Sequence, residues 1–376
     1  MTPPAPNGPG PERTVYTFWF ACSLLTYIAV RLTFLLPQLI WPEPEDNIAL
    51  SGLTCPGLEW LLAHGNLSCN PVQPYESALA MLFGQQADAP FGALRLLGEP
   101  ATDLDFDARD GFWLCADPVH LRFHHERIIL ADAGAFEVGG DEARALAAAL
   151  NQEFADVGRF HVADSRRWYL QLSTSAAFAA PPLSAVAGRR IEAELPADPH
   201  NSTLRSWLNE AQMFLHSHPV NASRASTGQP AINSLWLWGA GCLPDISNCG
   251  HDGVLSADPL AVGLARAAGI QAHSKPSGLD DVFARTAAGS AQLVVLNDLL
   301  APVIYEDSRG WRTALERLEE HWFAPLRSNL GRRVTGATLI TPTIYGLLTW
   351  TLKSADRWKI WRRPMSLAAL AKSLAQ

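Results

Sequence analysis

The chain has 376 residues, of which 48% are hydrophobic and 18% are charged, and its formal net charge is −8. This composition permits a packed core and excludes wholesale disorder. The acidic balance excludes a general affinity for nucleic acid, because phosphate binding needs clustered Lys and Arg. Six cysteines are scattered without a Cys-x-x-Cys pair, which favours free thiols in a reducing cytoplasm over a disulfide framework.

Residues 1–31 are predicted to be an extension that is Pro- and Gly-rich up to Glu12 and apolar over Val15–Val30. The apolar run is shorter than the roughly 20 residues that a membrane-spanning helix needs, and Arg31 follows it directly. We therefore expect a packed helix or an upstream extension of a cytoplasmic protein. Association with the inner membrane through this run is the alternative.

Residues 32–105 alternate apolar patches with prolines, and we expect a helical N-terminal region. Two sets of residues with the i, i+3, i+4 spacing of amphipathic helices occur there, namely Leu58, Leu61 and Leu62 and then Leu79, Leu82 and Phe83.

Residues 106–183 predict a small α+β module. The segments FWLCADPVHLRF and RIILADAG are typical of two strands joined by a charged turn. A helix over Asp141–Phe154 and a third strand over Arg166–Ser173 follow. A Pro-rich hinge at Ala179–Leu183 ends the module.

Residues 184–352 predict an α/β region in which helices alternate with apolar strands. The predicted helices are Ser202–His216, Pro259–Ala268 and Trp311–Leu330, and the predicted strands are Ile232–Trp238, Ala291–Leu296 and Ala337–Thr341. Apolar strands separated by helices favour a mostly parallel sheet that is covered on both faces. Residues 353–376 form a basic tail with six Lys and Arg residues and one acid, Asp356. Such a tail could touch anionic lipid or RNA, but we favour a solvated helix that docks Trp358 and Trp361 on the body.

One block of the sequence carries a family resemblance. Its residues are Asp198-Pro199-His200, then His218-Pro219-Val220-Asn221, Arg224 and Gly228, then Asn233 and Gly239-Ala240-Gly241, preceded by Asp132-Ala133-Gly134. This order resembles the archaeal-type cofactor-independent phosphoglycerate mutases. The segments LLPQLIWPEPE, WLCADPVHLR, RWYL, LNEAQM, INSLWLWG and WRRP resemble the bacterial group named after the RpfE regulator of pathogenicity factors, over most of Leu35–Pro364.

The resemblance implies an alkaline phosphatase-like α/β fold in reduced form, with a mostly parallel sheet covered by helices and a smaller inserted α+β module. The mutases use two divalent metals and a Ser nucleophile, because metals neutralise the phosphoryl oxygens. Their early Asp-Gly-x-x-Asp segment and late Gly-Asp-His segment are missing from this chain. We therefore expect a catalytically degenerate protein that is regulatory or binds a ligand, with no cofactor.

Five residues of the shared block are candidates for binding a small phosphorylated or acidic ligand: Asp198, His200, Asn221, Arg224 and Asn233. Arginine can clamp a phosphate or carboxylate, and histidine can act as an acid or base near neutral pH. The turn after Ile232–Trp238 would lie at the carboxyl end of a parallel strand, where ligands bind. The alternative is structural: both asparagines satisfy backbone groups, and the arginine pairs with a surface carboxylate.

Two further hypotheses remain open. In the first, a metal-dependent mutase or phosphatase uses rearranged ligands, namely His120, His124, His200 and His251, and would then need a divalent metal. In the second, the chain is a membrane-associated interaction protein, held by the apolar run and by the tail with its two tryptophans. The sequence identifies no protein partner.

Overall fold

The computed structural model describes residues 29–100, 107–124, 127–175, 178–191, 202–247 and 249–376. Nearly all of the predicted apolar extension lies outside these ranges, as do Asp198 and His200. The described part of the chain forms one seven-stranded sheet and one five-stranded sheet.

Within the described ranges the strands are β1 (Val30–Leu35), β2 (Asn66–Asn70), β3 (Phe112–His124), β4 (Arg127–Asp132), β5 (Gly158–Asp164), β6 (Arg167–Leu172), β7 (Ser234–Gly241), β8 (Gly253–Leu255), β9 (Gln271–His273), β10 (Ala291–Val295), β11 (Val334–Thr343) and β12 (Gly346–Lys353). The helices are α1 (Asn47–Leu50), α2 (Pro56–His64), α3 (Tyr75–Met81), α4 (Phe91–Gly98), α5 (Gly140–Glu153), α6 (Leu183–Val186), α7 (Ser202–Ser217), α8 (Pro219–Ser226), α9 (Pro259–Ala267), α10 (Leu279–Arg285), α11 (Leu300–Ile304), α12 (Ser308–Leu318), α13 (Ala324–Asn329) and α14 (Leu367–Leu374).

The large sheet has the strand order β2-β12-β11-β1-β10-β8-β9. Its strands from β11 to β9 are parallel to one another, and β12 and β2 are antiparallel additions at one edge. Helices cover both faces of this sheet. Successive side chains of its central strands therefore point alternately into two different hydrophobic cores. Phe34 and Val294 point into one hydrophobic core, whereas Leu35 and Leu293 point into the other. A parallel sheet buried on both faces is therefore confirmed.

The small sheet is antiparallel and is organised by the long strand β3. Its first residues pair with β6, its last residues pair with β4, and β7 lies along its middle. Strand β5 completes the sheet beside β6. The predicted strands and helix of the α+β module are confirmed, since β3, β4, α5 and β6 all lie within one or two residues of the expected bounds.

Helix α4 joins the two sheets because it packs on helix α9 on one side and on β7 on the other. The contact with α9 depends on two glycines. A Cβ atom on Gly98 would lie 1.7 Å from the Pro259 carbonyl oxygen, and one on Gly263 would lie 1.7 Å from the Leu94 carbonyl oxygen. The backbones of the two helices thus touch directly, which only glycine permits.

The expectation of a helical region over 32–105 needs correction. Helices α2 and α3 lie where predicted, but the segment also contributes the central strand β1 and the edge strand β2 to the large sheet. Strand β1 has an exposed residue, Arg31, at its start, but both of its faces are buried at its end, where Phe34 and Leu35 enter different cores. A short apolar run of this kind does not distinguish a strand from a buried helix by periodicity.

The assignment of Ile232–Trp238 to the parallel sheet was wrong. Strand β7 pairs antiparallel with β3 in the small sheet. Its side chains alternate between two cores, with Leu235 and Leu237 on one side and Trp236 and Trp238 on the other. Both faces of β7 are buried, so its sequence is nearly continuously apolar, as that of a buried parallel strand is.

The predicted helix Ser202–His216 is confirmed to within one residue as α7, and Pro219 begins the next helix, α8, where a missing backbone N–H costs nothing. Two smaller expectations changed. The strand predicted over Ala337–Thr341 is part of β11, which turns at residues 343–346 into a further, antiparallel strand, β12. The predicted helix Trp311–Leu330 is split into α12, a π-helical turn at Glu319–Phe323 and α13.

The C-terminal tail differs from the favoured expectation, because Trp358 and Trp361 are 66% and 72% exposed and do not dock on the body. Of the described helices, none has the length and apolar character required to cross a membrane.

Candidate functional site

The predicted ligand residue Asn221 is buried at the start of helix α8. Its amide nitrogen donates to the carbonyls of Leu215 (2.7 Å) and Ile232 (2.9 Å), and its amide oxygen accepts from the N–H of Ile232 (2.8 Å). The side chain therefore ties the end of α7 to the segment that leads into β7.

Arg224 is 2% exposed and is surrounded by acceptors. Its guanidinium donates to the carbonyl of Pro230 (2.7 Å), to the carbonyl of Glu137 (2.8 Å) and to the carboxylate of Glu142 (2.7 Å). It also lies over the ring of Phe136. These contacts join α8 and the segment before β7 to helix α5.

Asn233 extends the pairing of β7 with β3. Its oxygen accepts from the N–H of Leu121 (2.8 Å) and its nitrogen donates to the carbonyl of the same residue (2.9 Å). The structure thus brings Asn221, Arg224 and Asn233 together around residues 229–233 and gives each a structural role. Their role in ligand binding stays a prediction, as does that of Asp198 and His200, which lie outside the described residues.

The positional argument for a site at Gly239–Gly241 does not hold, because β7 belongs to the antiparallel sheet. The glycine turn has a structural cause. Gly239 has φ +64°, and a Cβ atom there would lie 2.6 Å from the Cβ of Phe91. The turn is where α4 approaches the strand.

The carboxyl edge of the large parallel sheet is a different place, and ligands of open α/β sheets bind at such edges. A cavity of 230 Å³ opens there between the residues that follow β1 and β11 and the segment that enters and leaves α6. At roughly 30 Å³ for each water molecule, this volume suits a small metabolite. We call it the edge cleft; its polar lining residues are Gln38, Gln73, Tyr75, Ser184, Arg189 and Thr343.

Gln38 is the residue of the edge cleft with the most unusual backbone. It has φ +61°, a left-handed conformation that non-glycine residues rarely adopt. Its N–H donates to the carbonyl of Pro342 (2.9 Å), and its carbonyl accepts from the indole of Trp311 (3.0 Å). Its side-chain oxygen is buried and has no hydrogen-bond partner among the described residues. A strained backbone and an unpaired buried acceptor together are typical of a binding site.

Tyr75 connects the edge cleft to helix α9. Its hydroxyl donates to the carboxylate of Asp258 (2.7 Å), which also accepts from the amide of Asn297 (3.3 Å) and caps α9 at Leu260 (2.8 Å). Burial, and then the nearby Asp258 charge, raises the pKa of Tyr75 well above its usual value. The tyrosine is therefore a neutral hydrogen-bond donor held in one orientation.

Ser184 and Glu76 form a second pair at the edge cleft. The serine hydroxyl donates to the glutamate carboxyl at 2.6 Å. Burial raises the pKa of Glu76 to about 7, although the hydrogen bond from Ser184 opposes the shift. Arg189 lies at the mouth, is exposed, and makes no ion pair with another described residue. It is the charged member of the described lining, so the cleft is suited to an anion.

The donor set of this edge does not fit a dinuclear metal site. Its two nearby aspartates are engaged, since Asp258 caps α9 and binds Tyr75, and Asp298 pairs with Lys275 at 2.5 Å. Amides and hydroxyls replace the carboxylates and imidazoles that hold metals in phosphoryl transfer. Within the described ranges, no three His, Cys, Asp or Glu side chains are grouped to hold a metal ion.

The rearranged histidine ligands are not brought together either. The Nδ1 of His120 donates to the carbonyl of Ala231 (2.8 Å) beside the small sheet. His251 precedes β8, near Arg31 at the amino edge of the large sheet. The side chain of His124 and the whole of His200 lie outside the described residues.

The sequence of the chain is similar to those of several named proteins. The chain is 30% identical to "2,3-bisphosphoglycerate-independent phosphoglycerate mutase 2" of Methanothermobacter thermautotrophicus over 168 residues, which are 44% of this chain and 40% of the relative. It is 24% identical to a 2,3-bisphosphoglycerate-independent phosphoglycerate mutase of Methanosarcina barkeri over 273 residues, 67% of this chain and 66% of the relative. The chain therefore spans between two fifths and two thirds of these curated relatives.

A solved structure, the PH0037 protein from Pyrococcus horikoshii, superimposes with a TM-score of 0.50 at 15% identity, covering 91% of this chain and 92% of that one. No protein-family model matches the chain. The chain is phosphoglycerate mutase-like in sequence. The predicted α/β fold with a parallel-rich sheet is confirmed.

Sequence reasoning missed the edge cleft. The largely apolar run Val30–Leu36, which is followed by Pro37 and Gln38, could have indicated its position. Had the run been interpreted as a strand, the residues after it would have been placed at the carboxyl edge of the sheet. Ser184 and Arg189 carried no comparable signal, because a hinge brings them to the edge from the other side.

Proposed function

We propose that this phosphoglycerate mutase-like protein is catalytically degenerate and binds a small phosphorylated or acidic molecule in the edge cleft, as a regulatory protein of the RpfE type. The observation that carries the proposal is the chemistry of the cleft. Arg189, which makes no ion pair with another described residue, lines the cleft together with hydroxyl and amide groups, where phosphoryl transfer would require several metal-holding carboxylates.

The lining supports recognition of an anion with hydroxyl groups. Arg189 would pair with a phosphate or carboxylate. Tyr75 is oriented by the half-buried carboxylate of Asp258, and Ser184 by the buried carboxyl of Glu76. The side-chain oxygen of Gln38, which has no partner among the described residues, would accept from a ligand hydroxyl. The named relatives are phosphoglycerate mutases, so 2- and 3-phosphoglycerate are the first ligands to test.

The test combines binding and turnover on the full chain. We expect 3-phosphoglycerate to raise the melting temperature, because a ligand that binds only the native state stabilises it, and glycerol to leave it unchanged. We expect no interconversion of the phosphoglycerates with manganese or zinc added. Metal-dependent turnover would contradict the degenerate assignment, and equal shifts with glycerol would contradict recognition of an anion.

A second candidate is a phosphatase-type or mutase enzyme with rearranged groups. The observation that favours it is the 2.6 Å contact between the Ser184 hydroxyl and a carboxyl whose pKa is about 7, since a base poised near neutral pH can activate a hydroxyl. Hydrolysis of phosphoglycerate by the wild type, abolished in Ser184→Ala and in Glu76→Gln, would support this candidate. Absence of turnover in the wild type removes it.

A further inference from the structure

The segment from Arg357 to Met365, between the short turn Ser354–Trp358 and helix α14, displays large apolar side chains to solvent. We call it the tryptophan loop. Trp358 is 66% exposed, Ile360 86%, Trp361 72% and Met365 48%. Soluble proteins rarely expose contiguous apolar groups of this size unless they mark an interaction site.

Hydrogen bonds and an ion pair fix the backbone of the tryptophan loop, and this backbone keeps its tryptophans exposed. The carboxylate of Asp356 accepts from the N–H of Lys353 (2.7 Å) and pairs with the ammonium of Lys359 (2.8 Å). The N–H of Lys359 donates to the carbonyl of Asp356 (3.1 Å), and the N–H of Arg362 donates to that of Lys359 (2.9 Å). These bonds hold the loop as a turn whose indoles point away from the core.

The tryptophan loop is cationic on a chain whose net charge is −8. Arg357, Arg362 and Arg363 are exposed, and the guanidinium of Arg357 lies 4.7 Å from the ring of Trp358. Asp356, the one acid in the sequence of residues 353–376, is buried and is paired with Lys359. A local cluster of arginines beside indoles is the pattern of proteins that bind anionic lipid at the interfacial region.

The chemistry distinguishes lipid from other occupants. Tryptophan is favoured at the headgroup level because its ring is amphipathic, and the aliphatic side chains of Ile360 and Met365 gain from burial in acyl chains but offer no ring for stacking on bases. A second copy placed symmetrically on the loop would oppose Arg362 and Arg363 with like charges.

We propose that the tryptophan loop docks this protein on an anionic lipid surface, with Trp358, Ile360 and Trp361 inserted at the headgroup boundary and the arginines on the phosphates. This surface lies apart from the edge cleft, so its test is independent of the proposed ligand.

The experiment is flotation of the full chain with vesicles of phosphatidylcholine alone or mixed with phosphatidylglycerol. We expect binding to the mixed vesicles, weakened by salt because exposed charges are screened. Trp358→Ser with Trp361→Ser, and Arg362→Glu with Arg363→Glu, should each weaken binding by about tenfold or more. Met213→Ser and Arg190→Glu are matched controls at exposed sites elsewhere and should bind like the wild type.

Absence of binding to the mixed vesicles would overturn the proposal. Undiminished binding by the tryptophan variant would also overturn it, since attachment would then reside elsewhere in the chain. RNA binding or dimerisation that the same variant abolishes, without flotation of the wild type, would assign the loop to a different partner. Circular dichroism of each variant verifies that these surface changes leave the fold intact.

Discussion

The hydroxyl of Ser184 donates a 2.6 Å hydrogen bond to the buried carboxyl of Glu76. The contact joins helix α6, which follows the hinge of the small module, to helix α3 of the large-sheet layer. It therefore holds one wall of the edge cleft in place, and the protonation of a single carboxyl becomes coupled to the stability of that wall.

Glu76 gives the first prediction, a pH dependence of stability. Its native pKa is about 7 against an ordinary value of 4.5. Between these values the native state keeps a proton that the unfolded chain releases, so stability falls as pH rises through this window and stays low above it. Denaturant unfolding of wild type and Glu76→Gln should therefore diverge by roughly 3 kcal/mol in favour of the variant by pH 8.

The matched control is Glu153→Gln, an exposed glutamate at the end of helix α5. Its stability should follow the wild-type curve at every pH. Parallel curves for wild type and Glu76→Gln would mean that the Glu76 carboxyl ionises as readily in the native state as in the unfolded chain.

Arg224 gives the second prediction, because it is buried among three acceptors. Arg224→Ala should lower the free energy of unfolding by about 3 kcal/mol or more, since Glu142 loses its cationic partner and the carbonyls of Glu137 and Pro230 lose the guanidinium donor. Arg144→Ala, on helix α5, is the control; the ion pair of Arg144 with Asp141 is exposed and is worth less than about 1 kcal/mol. If Arg224→Ala lowered the free energy of unfolding as little as the control does, the structural role of Arg224 would be contradicted and its role in ligand binding would be favoured.

The close contact of α4 with α9 gives the third prediction. Gly263→Ala should destabilise the protein by about 3 kcal/mol or more, because its new methyl would overlap the Leu94 carbonyl and force apart the helices between the two sheets. Gly140→Ala, whose methyl would meet its nearest neighbour, Arg144, at 3.5 Å, should be tolerated. Thermal melting compares the two, and equal melting temperatures would contradict the packing described.

Gln38 gives the fourth prediction. Gln38→Gly removes the cost of the left-handed backbone, so stability should stay constant or rise by up to about 1 kcal/mol, while phosphoglycerate binding weakens. Glu306→Gly relieves a similar strain at φ +56° outside the edge cleft and should leave binding unchanged. Equal effects of both changes on binding in calorimetry would show that the Gln38 side chain has no part in the site.

Local pattern was enough to predict helices α2, α5 and α7, because each has one buried face and a clear period. It also predicted strands β3, β4 and β6 from apolar runs that are bounded by turns. It failed for β1 and β7, whose faces are both buried. Two apolar strands look alike whether their partners are parallel or antiparallel, and only the long-range pairing with β10 and β3 distinguishes them.

The candidate site was harder to predict for the same reason. Asn221, Arg224 and Asn233 attracted notice because polar groups stand out beside an apolar strand, yet their partners are backbone groups of neighbouring segments. The edge cleft assembles residues far apart in the chain, such as Gln38 and Arg189, that have no motif in common. Their proximity follows from sheet topology.

The most direct test of the central claim is calorimetric titration of the full chain with 3-phosphoglycerate, comparing Arg189→Ala with Arg190→Ala. The two arginines are adjacent and exposed, but Arg189 lines the edge cleft whereas Arg190 does not. We expect the wild type and Arg190→Ala to bind alike and Arg189→Ala to bind about tenfold more weakly, the loss of one charge-assisted contact. Equal affinity in both variants, or no binding by the wild type, would contradict the account.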